Sequence, residues 1–244
     1  MVFDGESRTL VQFVDEKLLR ETSIHLEGRL VDASNATLFG SIPIGIDSKI
    51  AIVYKPIAGE RPLWDFPEGS LAFREVAAFH ISEIAGFHCV PPTVLRDGPY
   101  GTGAVQQWVD VDDSIDLISL GGSAQPAIRA LALFDAVINN TDRKFGHILP
   151  VSIEEIYGCD HGVSFHAEDK LRTVIWQFAG EKFTPKEQEQ LAKLESKIPS
   201  DSSLMSLLNE KEISALLMRI QKLLLQNHFP YPSDEWPAVP WPPV

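Results

Sequence analysis

Asn139-Asn140-Thr141-Asp142-Arg143-Lys144-Phe145-Gly146-His147 is the polar stretch from which the fold is read. Before it runs Ile128 to Asn139, so apolar that it predicts a buried helix. After it come two short strand candidates, Ile148 to Val151 and Ile156 to Cys159, joined by a turn. The hairpin delivers the chain to Cys159-Asp160-His161-Gly162. Two carboxylates, Asp142 and Asp160, therefore follow one another through helix, polar loop, hairpin and acidic turn, with His147 five positions beyond the first.

Toward the N-terminus, Thr9 to about Arg20 predicts a short amphipathic helix with Leu10, Val11, Val14, Leu18 and Leu19 on one face. His25 to Val31, Leu38 to Ile44 and Lys49 to Tyr54 read as strands, the third ending at Lys55-Pro56 because proline cannot donate to a ladder. A loop from Gly59 to Gly69 leads to a helix that Ser70 is expected to cap, that runs to Ile84 and that Gly86 ends, with Leu71, Val76, Phe79 and Ile84 facing inward. Ala104 to Val109 predicts a further strand, followed by the acidic segment Asp110 to Asp116 and a loop from Gly121 to Pro126. Toward the C-terminus, helices are expected at Lys186 to Lys197 and Glu210 to Gln226. Phe229 to Val244 is too rich in Pro and Trp for a helix and is expected to dock its Trp side chains on the body rather than serve as a polyproline ligand. Strands with one helix, then mostly helices with one hairpin, predict an α+β fold of two unequal lobes, residues 1–109 and 110–244.

The composition, 44% hydrophobic and 23% charged over 244 residues, is that of a soluble globular chain. A net charge of -13 makes nucleic acid and anionic membrane surfaces poor partners. The first residues lack a signal-peptide pattern, and no apolar run approaches the roughly 20 residues that span a bilayer, so no integral membrane association is expected. Cys89 and Cys159 are too few for a disulfide framework and are expected to be buried thiols in a reducing, cytoplasmic setting.

Four features then stand in a fixed order: Lys55 at a strand end, Glu75 on the next helix, Asp142 with His147 in the polar loop, and Asp160 after the hairpin. Phosphoryl transfer needs such parts: a lysine to neutralise nucleotide phosphates, a glutamate to orient it, one carboxylate for the attacking hydroxyl and another for metal ions. Asp142 to His147 has the spacing of the kinase catalytic loop, and Asp160-His161-Gly162 stands where kinases carry Asp-Phe-Gly. Asn140-Thr141-Asp142-Arg143 resembles the catalytic loop of the phosphatidylinositol 4-kinases. Val53-Tyr54-Lys55-Pro56, Gly59 to Pro67 and Ala136 to Leu149 resemble an uncharacterised actinobacterial family distantly similar to phosphatidylinositol 3- and 4-kinases.

That resemblance implies a protein-kinase-like fold, with a small N-terminal antiparallel sheet plus helix and a mainly helical C-terminal lobe, and an ATP-dependent phosphotransferase using Mg or Mn. Lys55 would contact the ATP phosphates and Glu75 would pair with it. Ser34, Asn35, Ala36 and Thr37 would cover the phosphates through backbone N–H groups. The backbone of Gln106, Gln107, Trp108 and Val109 would hold adenine. Asp142 would be the catalytic base, Lys144 a charge stabiliser, and Asp160 with His147 the metal ligands. The acceptor of the phosphoryl group is not specified by these residues.

His147 departs from the expected Asn, and imidazole suits Mn(II) better than Mg(II). Loss of the second metal, and with it a nucleotide-binding pseudoenzyme with a regulatory role, stays open at this point, as does kinship with toxin-type protein kinases. His147, His161 and His166 with the two carboxylates also suggest a metal-dependent hydrolase, although the spacing matches no zinc signature. Taken singly, Lys55 reads as an edge-strand lysine, Asp142-Arg143 as a surface ion pair and Asp160 as a turn residue. Asp110, Asp112, Asp113 and Asp116 lack the glycine and glutamate of a calcium loop and read as solvated.

Overall fold

The computed structural model describes residues 13–30 and 35–244. Five antiparallel strands form the N-terminal sheet: β1 (His25–Arg29), β2 (Leu38–Pro43), β3 (Lys49–Pro56), β4 (Thr93–Gly98) and β5 (Gly101–Gln107), in the spatial order β1-β2-β3-β5-β4. β3 therefore lies in the middle of the sheet, and Lys55 faces Ala104 of β5 in register. An edge-strand role for Lys55 does not survive this placement. Helix α1 (Glu16–Glu21) seats Leu19 in a cluster with Ile42, Ile52, Tyr54, Val94 and Val105. The N-terminal part of the expected Thr9 helix, the end of the first strand at Val31, and Ser34 lie outside the described residues.

Helix α2 (Leu71–Ala85) crosses between the sheet and the helical half. Ala72 and Val76 pack on Ala104, while Ala77, Ala78, Phe79 and Ile81 join the large core on the other side. Enclosed in this way, α2 buries Arg74, Glu75 and Ser82 as well as its apolar residues. Its C-terminus is as expected, with Gly86 in the left-handed region at φ 74°. Its N-terminus is not: Ser70 makes no side-chain cap, and the Glu60 carboxylate accepts from the N–H groups of Leu71 (3.1 Å) and Ala72 (2.8 Å). A carboxylate there also complements the positive end of the helix dipole.

The helical half comprises α3 (Leu117–Gly121), α4 (Pro126–Ile138), the hairpin β6 (Ile148–Pro150) and β7 (Ile156–Gly158), then α5 (Pro185–Lys197), α6 (Ser202–Leu207) and α7 (Glu210–Gln226). Its core joins Leu131, Phe134, Ile138, Phe165, Leu191, Leu194, Leu216 and Ile220. Capping boxes at Thr184/Glu187 and Asn209/Glu212 start α5 and α7 at the positions that their apolar periodicity predicts. Strand β4 and helices α3 and α6 were not anticipated, and β5 ends at Gln107, two residues before the predicted Val109. The C-terminal tail lies on the body: Ala238 O accepts from Thr173 N–H (3.0 Å) and from Trp176 Nε1–H (2.8 Å). No helix of the described residues is long and apolar enough to cross a membrane.

Candidate active site

The central strand, the buried helix and the turn after β7 bring three side chains to one point. Lys55 Nζ donates to Glu75 Oε1 in a short contact and to Asp160 Oδ1 at 3.1 Å. Burial would lower the lysine pKa, but the carboxylates of Asp160 and Glu75 outweigh it and hold the ammonium charged beyond its ordinary range. Burial raises the Glu75 carboxyl, with Lys55 opposing; Glu75 Oε2 also accepts from His161 N–H at 3.0 Å. Lys55 holds the Asp160 carboxyl well below the usual carboxylate range, against its desolvation.

Asp160 has a positive φ of 60°, an uncommon conformation for a side-chain-bearing residue. Two residues later, Gly162 lets this segment lie against α2, where a Cβ would meet Leu71 Cβ at 3.2 Å. The positive φ suits a turn, and the close approach of this turn to Glu75 is what adds Asp160 to the cluster.

The loop carrying Asp142 is built on a buried ion pair that the sequence reading missed. Arg143 is not at the surface beside Asp142: its Nη2 lies 2.8 Å from Asp135 Oδ1 of α4, and both side chains are fully buried. The same guanidinium donates to the carbonyls of His147 and Cys159, both at 3.0 Å, and to His161 Nε2 at 2.7 Å. The signal that could have found it is a lone aspartate inside the apolar run Leu133-Phe134-Asp135-Ala136-Val137. Asp142 itself points into the cleft, its carboxyl raised by burial and opposed by Lys144, whose Nζ stands 3.4 Å away.

His147 Nδ1 lies 2.9 Å from the Asp142 carbonyl oxygen, which can only accept, so Nδ1 carries the proton. Nε2 then presents a lone pair to Asp160 Oδ2 at 3.4 Å. Burial lowers the His147 pKa against the pull of Asp160, and in the neutral ring two acceptors face one another. A cation between them would satisfy both. Among the described residues no three His, Cys, Asp or Glu side chains form a metal-ligand group. Two protein ligands completed by phosphate oxygens and water are, however, the usual way Mg(II) is held beside a nucleotide.

The other predicted residues divide. Asn35, Ala36 and Thr37 line the cavity over Lys55, but Ala36 N–H is bonded to Gly59 O at 3.0 Å and Asn35 Oδ1 accepts from Arg61 N–H at 2.9 Å. Ala36 is thus unavailable as a phosphate donor in this conformation. Gly59 permits this packing, since a Cβ there would lie 2.4 Å from that of Ala36. Gln106 Nε2 bonds Thr93 Oγ1, and the N–H groups of Gln107 and Trp108 are bonded to Pro92 O (2.9 Å) and Ala51 O (3.0 Å). An adenine ring would have to break those bonds to use them, and none of Gln106 to Val109 lines the main cavity.

His161 is buried beneath Phe134 and against Arg143, and His166 packs on Phe66, so the three histidines of the hydrolase reading do not converge. Cys89 is buried and Cys159 partly so, and burial pushes each thiol up to about 12.

The main cavity, about 560 Å³, extends from Lys55, Glu75, Asp142 and Asp160 toward Trp64, Phe66, Lys170, Arg172 and Trp236. A five-stranded sheet with one crossing helix over a helical half, with this cleft between, defines a protein-kinase-like fold. Solved structures that share it include the following two. One is the Golgi casein kinase (TM-score 0.55, 14% identity, 86% of this chain and 72% of that one). The other is hydra Fam20 with sugar (TM-score 0.52, 14% identity, 86% of each chain).

No protein-family model matches the sequence. Protein Rv2133c of Mycobacterium tuberculosis is 37% identical over 265 aligned positions, which span 93% of this chain and 95% of that protein. The chain belongs to the same family as Rv2133c.

Proposed function

We propose that the chain is an ATP-dependent phosphotransferase, with residues 1–109 holding the nucleotide and 110–244 carrying the catalytic loop. The observation that carries this reading is the Lys55 ammonium held between Glu75 and Asp160 at the floor of the cleft. Lys55, kept charged by its two carboxylates, meets the nucleotide phosphates, and Glu75 fixes its direction. Asp142 takes the proton of the attacking hydroxyl; its raised pKa suits a group that must accept one. Lys144, beside Asp142, offsets charge on the transferred group.

Asp160 and His147 would hold a divalent metal, which would neutralise charge on the phosphates. The nitrogen donor of His147 favours Mn(II) over Mg(II). Ser34, Asn35 and Thr37 would cover the phosphates, Ala36 N–H being committed to Gly59 O, and the backbone of Gln106 to Val109 would meet adenine once the N–H groups of Gln107 and Trp108 leave Pro92 O and Ala51 O. The Asn140-Thr141-Asp142-Arg143 wording keeps a phosphatidylinositol-kinase-like acceptor within this proposal.

A second reading, a nucleotide-binding pseudoenzyme, draws on His147 in place of Asn and on the committed Ala36 N–H. Binding of a fluorescent ATP analogue and release of ADP, measured with Mg(II) and with Mn(II), separate the two. The phosphotransferase reading predicts metal-dependent binding and turnover, with Asp142→Asn keeping the binding and losing the turnover. Binding without turnover in either metal selects the pseudoenzyme, and absence of nucleotide binding contradicts both.

A further inference from the structure

Arg172 shares the main cavity with Asp142 and Asp160, yet among the described residues no carboxylate pairs with its guanidinium. Two other cations of the cavity, Lys55 and Lys170, are matched, and Arg61 is exposed. Lys55 is held by Glu75 and Asp160. Lys170 lies 3.1 Å from Asp65, with its ammonium 4.9 Å from the ring centre of Trp64 and 4.5 Å from that of Trp236. The two indoles are thus already filled by the chain's own lysine and do not form an open cage for a foreign cation.

Arg172 differs: among the described residues its guanidinium has no ion pair, and its Nε–H is buried without an acceptor. The backbone fixes its position, because Arg172 N–H donates to Asn140 O at 2.9 Å and Arg172 O accepts from Arg143 N–H at 3.1 Å. This short parallel pairing sets Arg172 directly beside the loop that carries Asp142.

Arg172 is half-buried and lines the cavity without an ion pair, so a ligand bound there can supply the acceptor that its guanidinium lacks. Its planar fork matches a carboxylate or a phosphate. We propose that Arg172 recognises an oxyanion carried by the acceptor, so that the substrate is a small hydroxyl compound bearing a carboxylate or phosphate group. The cavity volume suits a molecule of that size, and Trp64, 85% exposed at its rim, offers a flat apolar wall. In the step this serves, the acceptor oxygen bonds to the terminal phosphorus, the bond from that phosphorus to the bridging oxygen of ADP breaks, and the hydroxyl proton passes to Asp142. The inference rests on the phosphotransferase reading.

The test follows the side-chain Nε–H resonance of Arg172 in the isotope-labelled full chain, saturated with Mg(II) and a nonhydrolysable ATP analogue so that the terminal-phosphate position is filled. Sodium phosphate, sodium malonate and neutral glycerol are titrated at constant ionic strength. A saturable shift with phosphate or malonate and none with glycerol is expected. Arg172→Lys should weaken anion binding, read from backbone resonances of the cavity, by about tenfold, with analogue affinity and melting temperature unchanged. An Arg172 resonance indifferent to both anions overturns the proposal. So does one that moves on adding the analogue alone, with analogue affinity lost in Arg172→Lys, because Arg172 would then serve the nucleotide. Neither result touches the phosphotransferase reading, which fails separately if the analogue causes no metal-dependent shifts anywhere in the cleft.

Discussion

Asp135 and Arg143 pair with no solvent exposure of either side chain, and through that pair the end of α4 holds the Asp142 loop and the Asp160 turn together. The Asp135 carboxylate also accepts from Asn140 Nδ2 at 3.0 Å, which closes the network. Removing one member of a buried pair leaves the other charge uncompensated, which costs more than the pair itself contributes. Asp135→Asn is therefore expected to destabilise the chain by about 3–5 kcal/mol, read from urea denaturation. A loss below about 1 kcal/mol, the scale of an exposed pair, would contradict the network.

The proton on His147 Nδ1 leaves Nε2 facing Asp160 as the atom that would bind the proposed metal. Replacing His147 by Asn exchanges a nitrogen donor for an oxygen donor. The ratio of Mn(II) to Mg(II) affinity in the presence of the ATP analogue should fall by about tenfold, as hard ions prefer oxygen. An unchanged ratio in metal titrations would remove His147 from the metal site.

Arg74 of α2 is buried against Glu212 of α7, and its Nε donates to Ser164 O at 3.0 Å, while Phe66 stacks at 5.0 Å from its guanidinium carbon. This anchor fixes the helix that presents Glu75 to Lys55. Glu212→Gln should lower stability by about 3–5 kcal/mol and loosen Glu75. The accompanying sign is faster hydrogen exchange along α2, and exchange unchanged there would show that the anchor does not position the helix.

The C-terminal tail reaches the loop that carries Asp142, since Phe145 N–H donates to Pro243 O at 2.9 Å and Trp236 walls the cavity beside Lys170. Deleting residues 235–244 should lower turnover while leaving analogue binding within about twofold, as a group serving the loop rather than the nucleotide would. A variant with full turnover would reduce the tail to packing.

Much of this was legible in the sequence where the cause is local. The capping residues Thr184 and Asn209 sit beside periodic apolar runs, so α5 and α7 fall where expected. Lys55, Glu75, Asp142 and Asp160 were found through their order, and the fold brings them to one cleft. What escaped is what depends on distant partners. Ser70 reads as a cap until Glu60 arrives from across the loop. Arg74 and Glu212 are 138 residues apart, and Lys170 and Asp65 are 105 apart. Arg172 carries no local mark at all. Strand β4 was missed because Val94 and Leu95, its only large aliphatic residues, lie between a proline pair and an Asp-Gly turn.

The central claim is that Lys55 and Asp160 together grip a metal–nucleotide complex. The direct measurement is binding of the fluorescent ATP analogue, with and without Mn(II), to the wild-type chain and to Asp160→Asn. Metal-dependent binding that weakens at least about tenfold in the variant, with the melting temperature held, is the predicted result. Equal binding by both proteins, or binding indifferent to metal, would contradict it.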